Sequence, residues 1–275
     1  MSIMKNQKNA GLRLSGNKLD FQMLKPNEFY NQAASYYDIM TRFSKRQNRE
    51  RGWIRQWRDK YHFNSALDAG CGTGSTALAL NAEGIRTIGI DISNKMIEKA
   101  RENAHRLGLK DFKFITSSFE NAGDEIDETF NAIFCLGNSL VHVMPGTALE
   151  KTISSFDKLL NPGGVLIIQL LNYEKILKGK ERIIDIHREG NNELIRFYDF
   201  IEDCLNFNIL HIDWNSEPAR HQLQTTQHYP YKYQELEVSL NDHNIVMDKI
   251  YGNIKMDNFN PNISPNLVVA ARKLL

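Results

Sequence analysis

Residues 67–75 read LDAGCGTGS. SALDAG (65–70) is a short apolar strand ending in glycine, and residues 74–83 carry the pattern of a helix. The stretch is therefore a strand that runs straight into a glycine-rich turn opening a helix. Gly70, Gly72 and Gly74 permit tight backbone geometry and the close approach of a ligand. The free N–H groups at the helix start favour an anion or a carboxylate. A second signal is Asp91, which closes the next apolar run, RTIGID (86–91), nineteen residues beyond Gly72. A carboxylate at the tip of the second strand, about 20 residues on, can take both hydroxyls of an adenosine ribose. Alone, Asp91 would read as a helix cap or a surface acid; beside the glycine turn, ribose binding is the stronger reading.

The alternation continues outward. Ile92, Met96, Ile97, Ala100, Ala104 and Leu107 fall on one face of a following helix. FKFI (112–115) and FNAIFCL (130–136) are further strands, and Leu149, Ile153, Phe156 and Leu160 form another helical stripe. NPGG (161–164) reads as a turn before VLIIQLL (165–171), a near-continuous apolar run of the kind buried on both faces of a parallel sheet. This βαβα order predicts a doubly wound α/β sheet. Upstream, FYNQAASYYDIM (29–40) is rich in aromatics, and Trp53 and Trp57 share a helix face that reads as core. Beyond Tyr173 the character changes. Leu205, Phe207 and Ile209 alternate with polar residues, predicting an antiparallel strand with one wet face, and 193–201 and 220–229 look like its partners. Residues 231–242 read as a helix, and 245–252 and 266–273 as closing strands. The expected organisation is a polar tail and helical lid over 1–60, a core over 61–177, an antiparallel cap over 178–230, and a C-terminal helix with closing strands over 231–275.

The glycine turn and Asp91 by themselves fit either S-adenosylmethionine (SAM) or a nicotinamide dinucleotide. The dinucleotide pattern G-x-G-x-x-G needs a third glycine for helix packing, and Gly70-Cys71-Gly72-Thr73-Gly74 lacks that spacing. LDAGCGTG followed by GIDIS and Met96 resembles the first two motifs of the class I SAM-dependent methyltransferases, over roughly residues 60–175. CLGNSLVHV (135–143) resembles the fourth-strand motif of the glycine and sarcosine N-methyltransferase group, and NPGGVLIIQLLNYEKIL continues the likeness. The resemblance implies a Rossmann-like fold with a mostly parallel seven-stranded sheet and an antiparallel cap inserted after the fifth strand. It implies SAM as cofactor, held by Asp68, Gly70, Gly72, Gly74, Asp91, Ile92, Met96, Ser117, Ser118, Phe119 and Leu136. The turn meets the methionine part, Asp91 the ribose, Ser118 and Phe119 the adenine, and Leu136 the adenosine. Asn138 and His142 face the reacting centre, and Tyr37 the sulfonium or the substrate. Ser118 also reads as an ordinary loop residue.

Methyl transfer from a sulfonium is an in-line displacement, so alignment of donor and acceptor supplies much of the rate. A histidine can relieve an amine of its proton, an asparagine can hold the acceptor, and aromatic faces can host a cation. Tyr30, Tyr36, Tyr37, Tyr173, Tyr229, Tyr231 and Tyr233 supply such faces, though packing explains any one of them equally well. One departure matters. The glycine N-methyltransferases end the fifth strand Asp-His-Arg-Asn-Tyr, the Arg gripping the substrate carboxylate; here the stretch is Gln169-Leu170-Leu171-Asn172-Tyr173. Leu171 offers no charge, so an acceptor carboxylate needs another cation, such as Arg196 or Arg220.

Bulk composition narrows the partners. Of 275 residues, 41% are hydrophobic and 24% charged, which supports a sizeable core, and the net charge of +1 lacks the basic excess of a nucleic-acid binder. Cys71, Cys135 and Cys204 match no zinc spacing, and their odd number argues against a disulfide framework. Residues 1–18 have no apolar signal core, and no stretch approaches a membrane span. The expectation is a cytoplasmic enzyme with a small-molecule substrate, no metal, and no nucleic-acid or membrane partner; the sequence does not specify an oligomeric state. Methylation of RNA or protein and a non-catalytic SAM-binding module are the alternatives.

Overall fold

The computed structural model describes residues 23–109 and 112–275. The polar tail expected over 1–24 lies outside the described residues up to residue 22. Its last residue is not free: Leu24 is buried, and its N–H donates to the Thr225 carbonyl at 2.8 Å.

In chain order the elements are α1 (Pro26–Ala33), α2 (Tyr37–Thr41), α3 (Phe43–Tyr61), β1 (Ser65–Ala69), α4 (Ser75–Ala82), β2 (Arg86–Asp91), α5 (Asn94–Arg106), β3 (Lys113–Thr116), α6 (Phe119–Glu125), β4 (Phe130–Cys135), a short 3-10 turn (Leu140–His142), α7 (Thr147–Leu159) and β5 (Leu160–Leu171). There follow α8 (Tyr173–Gly179), β6 (Ile183–Glu189), β7 (Asn192–Ile201), β8 (Cys204–Asp213), β9 (Arg220–His228), α9 (Tyr233–Asn241), β10 (Ile245–Tyr251) and β11 (Asn266–Lys273). Seven strands form one sheet in the order β10-β11-β5-β4-β1-β2-β3. Strands β1 to β5 are parallel, and β11 runs antiparallel between β5 and β10. The sheet is thus the mostly parallel, seven-stranded one expected.

Apolar patterning explains the layers. All of Ser65–Ala69 is buried because helices cover both faces of β1. In α5, Met96, Ile97, Ala100 and Ala104 are buried as the periodicity predicts. Ile92 and Leu107 are exceptions, both outside the helix and both exposed. NPGG is not a separate turn but the irregular start of the twelve-residue β5. Phe130 pairs with Leu160 and Ala132 with Val165, so a bulge absorbs the extra residues without leaving the sheet.

Strands β6 to β9 form a second, four-stranded antiparallel sheet. Sequence patterning missed β6, an edge strand pairing only with β7, whose Ile183 and Ile186 are exposed. It also missed α8. The wet face expected on β8 is instead dry: Asn206 and Asn208 are buried. Asn208 Nδ2 donates to Asp199 at 2.9 Å, and Thr225 Oγ1 donates to Asn208 Oδ1 at 2.6 Å, so bonds to both neighbouring strands satisfy Asn208 in place of water, while Asn206 Oδ1 has no partner among the described residues. Helices α1 and α2 join the two sheets. Leu24, Phe29, Tyr36 and Met40 cluster with Met96 of α5 and with Leu194 and Ile209 of the second sheet.

The Trp53–Trp57 face packs as core. Trp57 is fully buried, stacks on Tyr61 at 5.4 Å between centroids, and donates Nε1–H to the Ile254 carbonyl at 2.7 Å. Trp57→Ala therefore leaves a large void and an unpaired carbonyl. The expected loss is about 3–5 kcal/mol, read as a lower urea midpoint; a midpoint shift worth under about 1 kcal/mol would refute this packing role.

Candidate active site

The glycine turn sits where β1 meets β2. The N–H groups of Gly70 and Cys71 both donate to the Ile90 carbonyl at 2.8 Å. Gly70 has φ +77°, and a Cβ there would lie 2.8 Å from the side chain of Ser139, so the loop after β4 closes directly on it. Gly72 has φ +54° and lies under the Tyr37 ring, 3.4 Å from where a Cβ would stand. Gly74 precedes α4 in the left-handed region, with φ +89°.

Asp91 locks this turn to the second βα unit. Gly72 N–H donates to Asp91 Oδ2 and Ser93 N–H to Asp91 Oδ1, both at 2.9 Å. Burial lifts the Asp91 carboxyl to about 6, against the opposing pull of those two N–H groups. Asp68 lies deeper. Its Oδ2 accepts the Ala77 N–H of α4 at 2.9 Å, and burial, with the Glu50 charge second, lifts its carboxyl to about 7. Glu50 is held by Ser75, Thr76 and Arg46.

Three cavities among the described residues bear on the candidate site, and the first of them is lined by a residue of the turn. The first, about 240 Å³, is lined by Gly70, Asp91, Ile92, Ser117, Ser118 and Phe119, among others. Ile92, 41% exposed, stands at this cavity rather than on the core face the sequence assigns it. Ser118 serves two ends, since its hydroxyl also accepts the Asn121 N–H as cap of α6, at 3.3 Å. The second, about 450 Å³, is lined by Tyr37, Asn138, Leu171, Arg196, Tyr198 and His228, among others. Tyr30 lines both. The third, about 470 Å³, holds Leu136 with Trp53, Arg49 and Lys255. Leu136 is thus not a wall of the Asp91 cavity. Met96 is fully buried in the α1–α2 cluster, and neither it nor Asp68 lines any of the three.

Asn138 has φ +67° and is partly spent on structure. Its Nδ2 donates to Tyr173 Oη at 2.8 Å, and its Oδ1 accepts the Leu171 N–H at 2.9 Å, which leaves one amide hydrogen and one lone pair. His142 shares a 2.8 Å hydrogen bond between Nε2 and Tyr30 Oη. Burial pushes its imidazole down to about 4, so it is neutral. Arg196 lines the second cavity and donates to Asp185 at 2.8 Å. Arg220 starts β9 on the surface, away from these cavities.

Sequence reasoning missed Asp185, Arg46 and His228, all on the second cavity. His228 is buried, stacked on Phe207 at 4.7 Å and edge-on to His142 at 4.5 Å. Nothing in QTTQHYP marks it, because its neighbours come from β8 and the loop after β4. Cys71, within the glycine turn, and Cys135, at the end of β4, are buried thiols, and burial raises both. Among the described residues no helix is long and apolar enough to cross a membrane.

Residues 64–234 match the methyltransferase domain family. The chain belongs to that family. This methyltransferase-domain chain is 30% identical over 153 residues to a glycine/sarcosine N-methyltransferase of Aphanothece halophytica, covering 55% of this chain and 57% of that one. It is 35% identical over 111 residues to a glycine/sarcosine N-methyltransferase of Halorhodospira halochloris, covering 40% and 41%. The chain thus spans about half the length of these curated relatives. In fold it matches a SAM-dependent methyltransferase of Clostridium acetobutylicum with a TM-score of 0.74 at 18% identity, over 90% of this chain and 99% of that one. The fold is the class I methyltransferase fold expected, and the family's cofactor is SAM. A carboxylate fixed by backbone N–H groups beside a glycine turn fits that cofactor's ribose and methionine portions.

The raised carboxyls set a pH dependence. From the ordinary aspartate value of 3.8 up to about 6 for Asp91 and about 7 for Asp68, the folded chain holds more protons than the unfolded one. Ligand-free stability from these groups therefore falls as pH rises through that window. Asp91→Asn removes one contributor, so the stability difference between about pH 5 and about pH 7.5 should shrink in urea melts. An unchanged difference would remove Asp91 from this account.

Proposed function

We propose that this chain transfers the methyl group of SAM to a nitrogen of a small molecule. The observation that carries the reading is a pair of adjacent cavities that share Tyr30 as a wall, one beside Asp91 and the other roofed by α1, α2 and the second sheet. The first is the cofactor's side. Asp91 keeps a lone pair on each oxygen for the ribose diol, the Gly70–Gly74 turn takes the methionine portion, Ile92 and Phe119 flank the adenine, and Ser117 and Ser118 offer it polar groups. Tyr37 over Gly72 marks the passage to the acceptor. A roofed cavity of about 450 Å³ suits a small acceptor better than a folded macromolecule.

SAM supplies a methyl group on a sulfonium: the acceptor lone pair forms the new N–C bond as the C–S bond breaks, the electron pair stays on sulfur, and the product ammonium carries the proton away. The protein's part is alignment and exclusion of water. Nitrogen is favoured over oxygen by the names of the relatives at 30% and 35% identity, and the neutral His228 imidazole on the second cavity is able to accept an N–H. Leu171 removes the cation with which the glycine-specific group grips a carboxylate. Arg196 shares the cavity with Leu171, and a carboxylate acceptor would have to compete with Asp185 for it.

Methyl-labelled SAM, incubated with the chain and a soluble extract of the source cell and then passed through a size filter, should give chain-dependent label in the filtrate. Label retained with RNA or protein would overturn the substrate class. Asp91→Ala should weaken SAM binding at least about tenfold by calorimetry, and an unchanged affinity would sink the ribose assignment. Since α1 and α2 form the roof, SAM should protect residues 25–60 from protease; identical cleavage with and without SAM would argue against closure of that segment.

A further inference from the structure

His228 ends β9, opposite Leu205 of β8. It is 3% exposed and lines the second cavity. Among the described residues, neither of its ring nitrogens has a hydrogen-bond partner. Leaving a buried donor and a buried acceptor unmade costs the desolvation of both atoms, so such a group calls for a reason. Rotation does not relieve it. Phe207 stacks on the ring at an interplanar angle of 17°, His142 meets it edge-on at 87°, and Tyr198 lies 6.0 Å away at 65°. The ring is therefore clamped by three aromatic neighbours with its polar atoms unmatched.

His142 is differently placed. One of its nitrogens is occupied by Tyr30, and only Nδ1 is unpaired. It lines the Asp91 cavity rather than the acceptor cavity. Tyr30 is in turn packed edge-on to Tyr37 at 6.1 Å between centroids. This makes His142 and Tyr30 a partition between the two cavities and leaves His228 as the unengaged polar ring on the acceptor side.

We infer that His228 is an acceptor-binding residue, whose unpaired imidazole nitrogen receives an N–H of a small primary or secondary amine and so turns the amine's lone pair toward the methyl donor. The inference rests on the amine-transfer reading above and names the group that recognises the amine. Burial and the neighbouring His142 hold the ring well below its ordinary value, so it stays neutral. A neutral ring can accept an N–H and adds no positive charge beside a sulfonium. His228 takes no proton in the transfer itself. The amine nitrogen forms its bond to the methyl carbon, sulfur keeps the electron pair of the broken C–S bond, and the product ammonium leaves with its proton. Arg196 and Asp185, also on this cavity, pair with each other.

The test compares the full chain with His228→Phe, which keeps an aromatic plane, and His228→Gln, which keeps a hydrogen-bonding group. Glycine, sarcosine, ethanolamine and dimethylamine are the probes. Each is assayed with methyl-labelled SAM, and each is titrated by calorimetry into chain saturated with S-adenosylhomocysteine. For any amine that the wild type methylates, H228F should lower kcat/KM and amine affinity by at least about tenfold. H228Q should recover part of both, while SAM affinity and Tm stay near wild type in the two variants. An H228F variant with wild-type kinetics and amine affinity would overturn the inference. So would a loss of SAM binding and Tm in both variants together, since that marks a packing role. A wild type that binds SAM yet methylates none of the four amines would instead sink the amine reading, and this inference with it.

Discussion

Both oxygens of the Asp91 carboxylate are held by main-chain N–H groups, one from the glycine turn and one from the start of α5. This small bridge fixes the first two βα units relative to each other at the point where β4 and β2 diverge on either side of β1. Ligands of open α/β sheets bind at such a point, outside the carboxyl ends of the strands. Each oxygen has one lone pair engaged by the backbone and one left over, so the carboxylate is positioned without being consumed. Because Gly72 is held by Asp91, the Tyr37 ring that rests over Gly72 and lines the second cavity is positioned too.

The roof depends on contacts between segments far apart in sequence. Tyr36 donates to Gln224, Leu24 donates to Thr225, and Phe29 packs 5.8 Å from Phe207, all between the N-terminal helices and the second sheet. Met96 of α5 lies under the same cluster, so the helix that starts beside Asp91 also carries the roof. Neither roof segment encloses the acceptor cavity alone: α1 and α2 contribute Tyr30 and Tyr37, and the second sheet contributes Arg196, Tyr198, Phe207 and His228. Assembly of the second cavity is therefore a packing event between α1 and α2 and the strands that follow β5, with the parallel sheet as the platform beneath.

Sequence periodicity made the parallel sheet legible because its strands are buried on both faces and its helices carry clean apolar stripes. It failed where burial and polarity part company. Asn206 and Asn208 read as a solvent face, yet both are buried, Asn208 with side-chain bonds to both neighbouring strands. Strand β6 was invisible because an edge strand with exposed isoleucines alternates in neither direction. The lining of the Asp91 cavity was readable since Gly70, Asp91, Ser117, Ser118 and Phe119 lie in short motifs at strand ends. Met96 and Leu136 belong to those motifs by position, but one packs under the roof and the other on a separate cavity. The acceptor side was largely unreadable, because Asp185 and His228 acquire meaning only when β6 and β9 fold over the loop after β4.

Electrostatics gives these placements a common logic. Burial drives four groups in and beside these cavities toward their neutral forms: the Asp68 and Asp91 carboxyls rise, and the His142 and His228 imidazoles fall. The cations retained on the acceptor cavity have protein partners within reach, Arg46 with Glu50, Arg196 with Asp185, and Arg42 with His187 at 3.3 Å. On the reading proposed above, a bound cationic donor would favour the ionised form of Asp91 and oppose protonation of the imidazoles. That is the combination in which a carboxylate can grip a sugar diol and an imidazole can still accept an N–H.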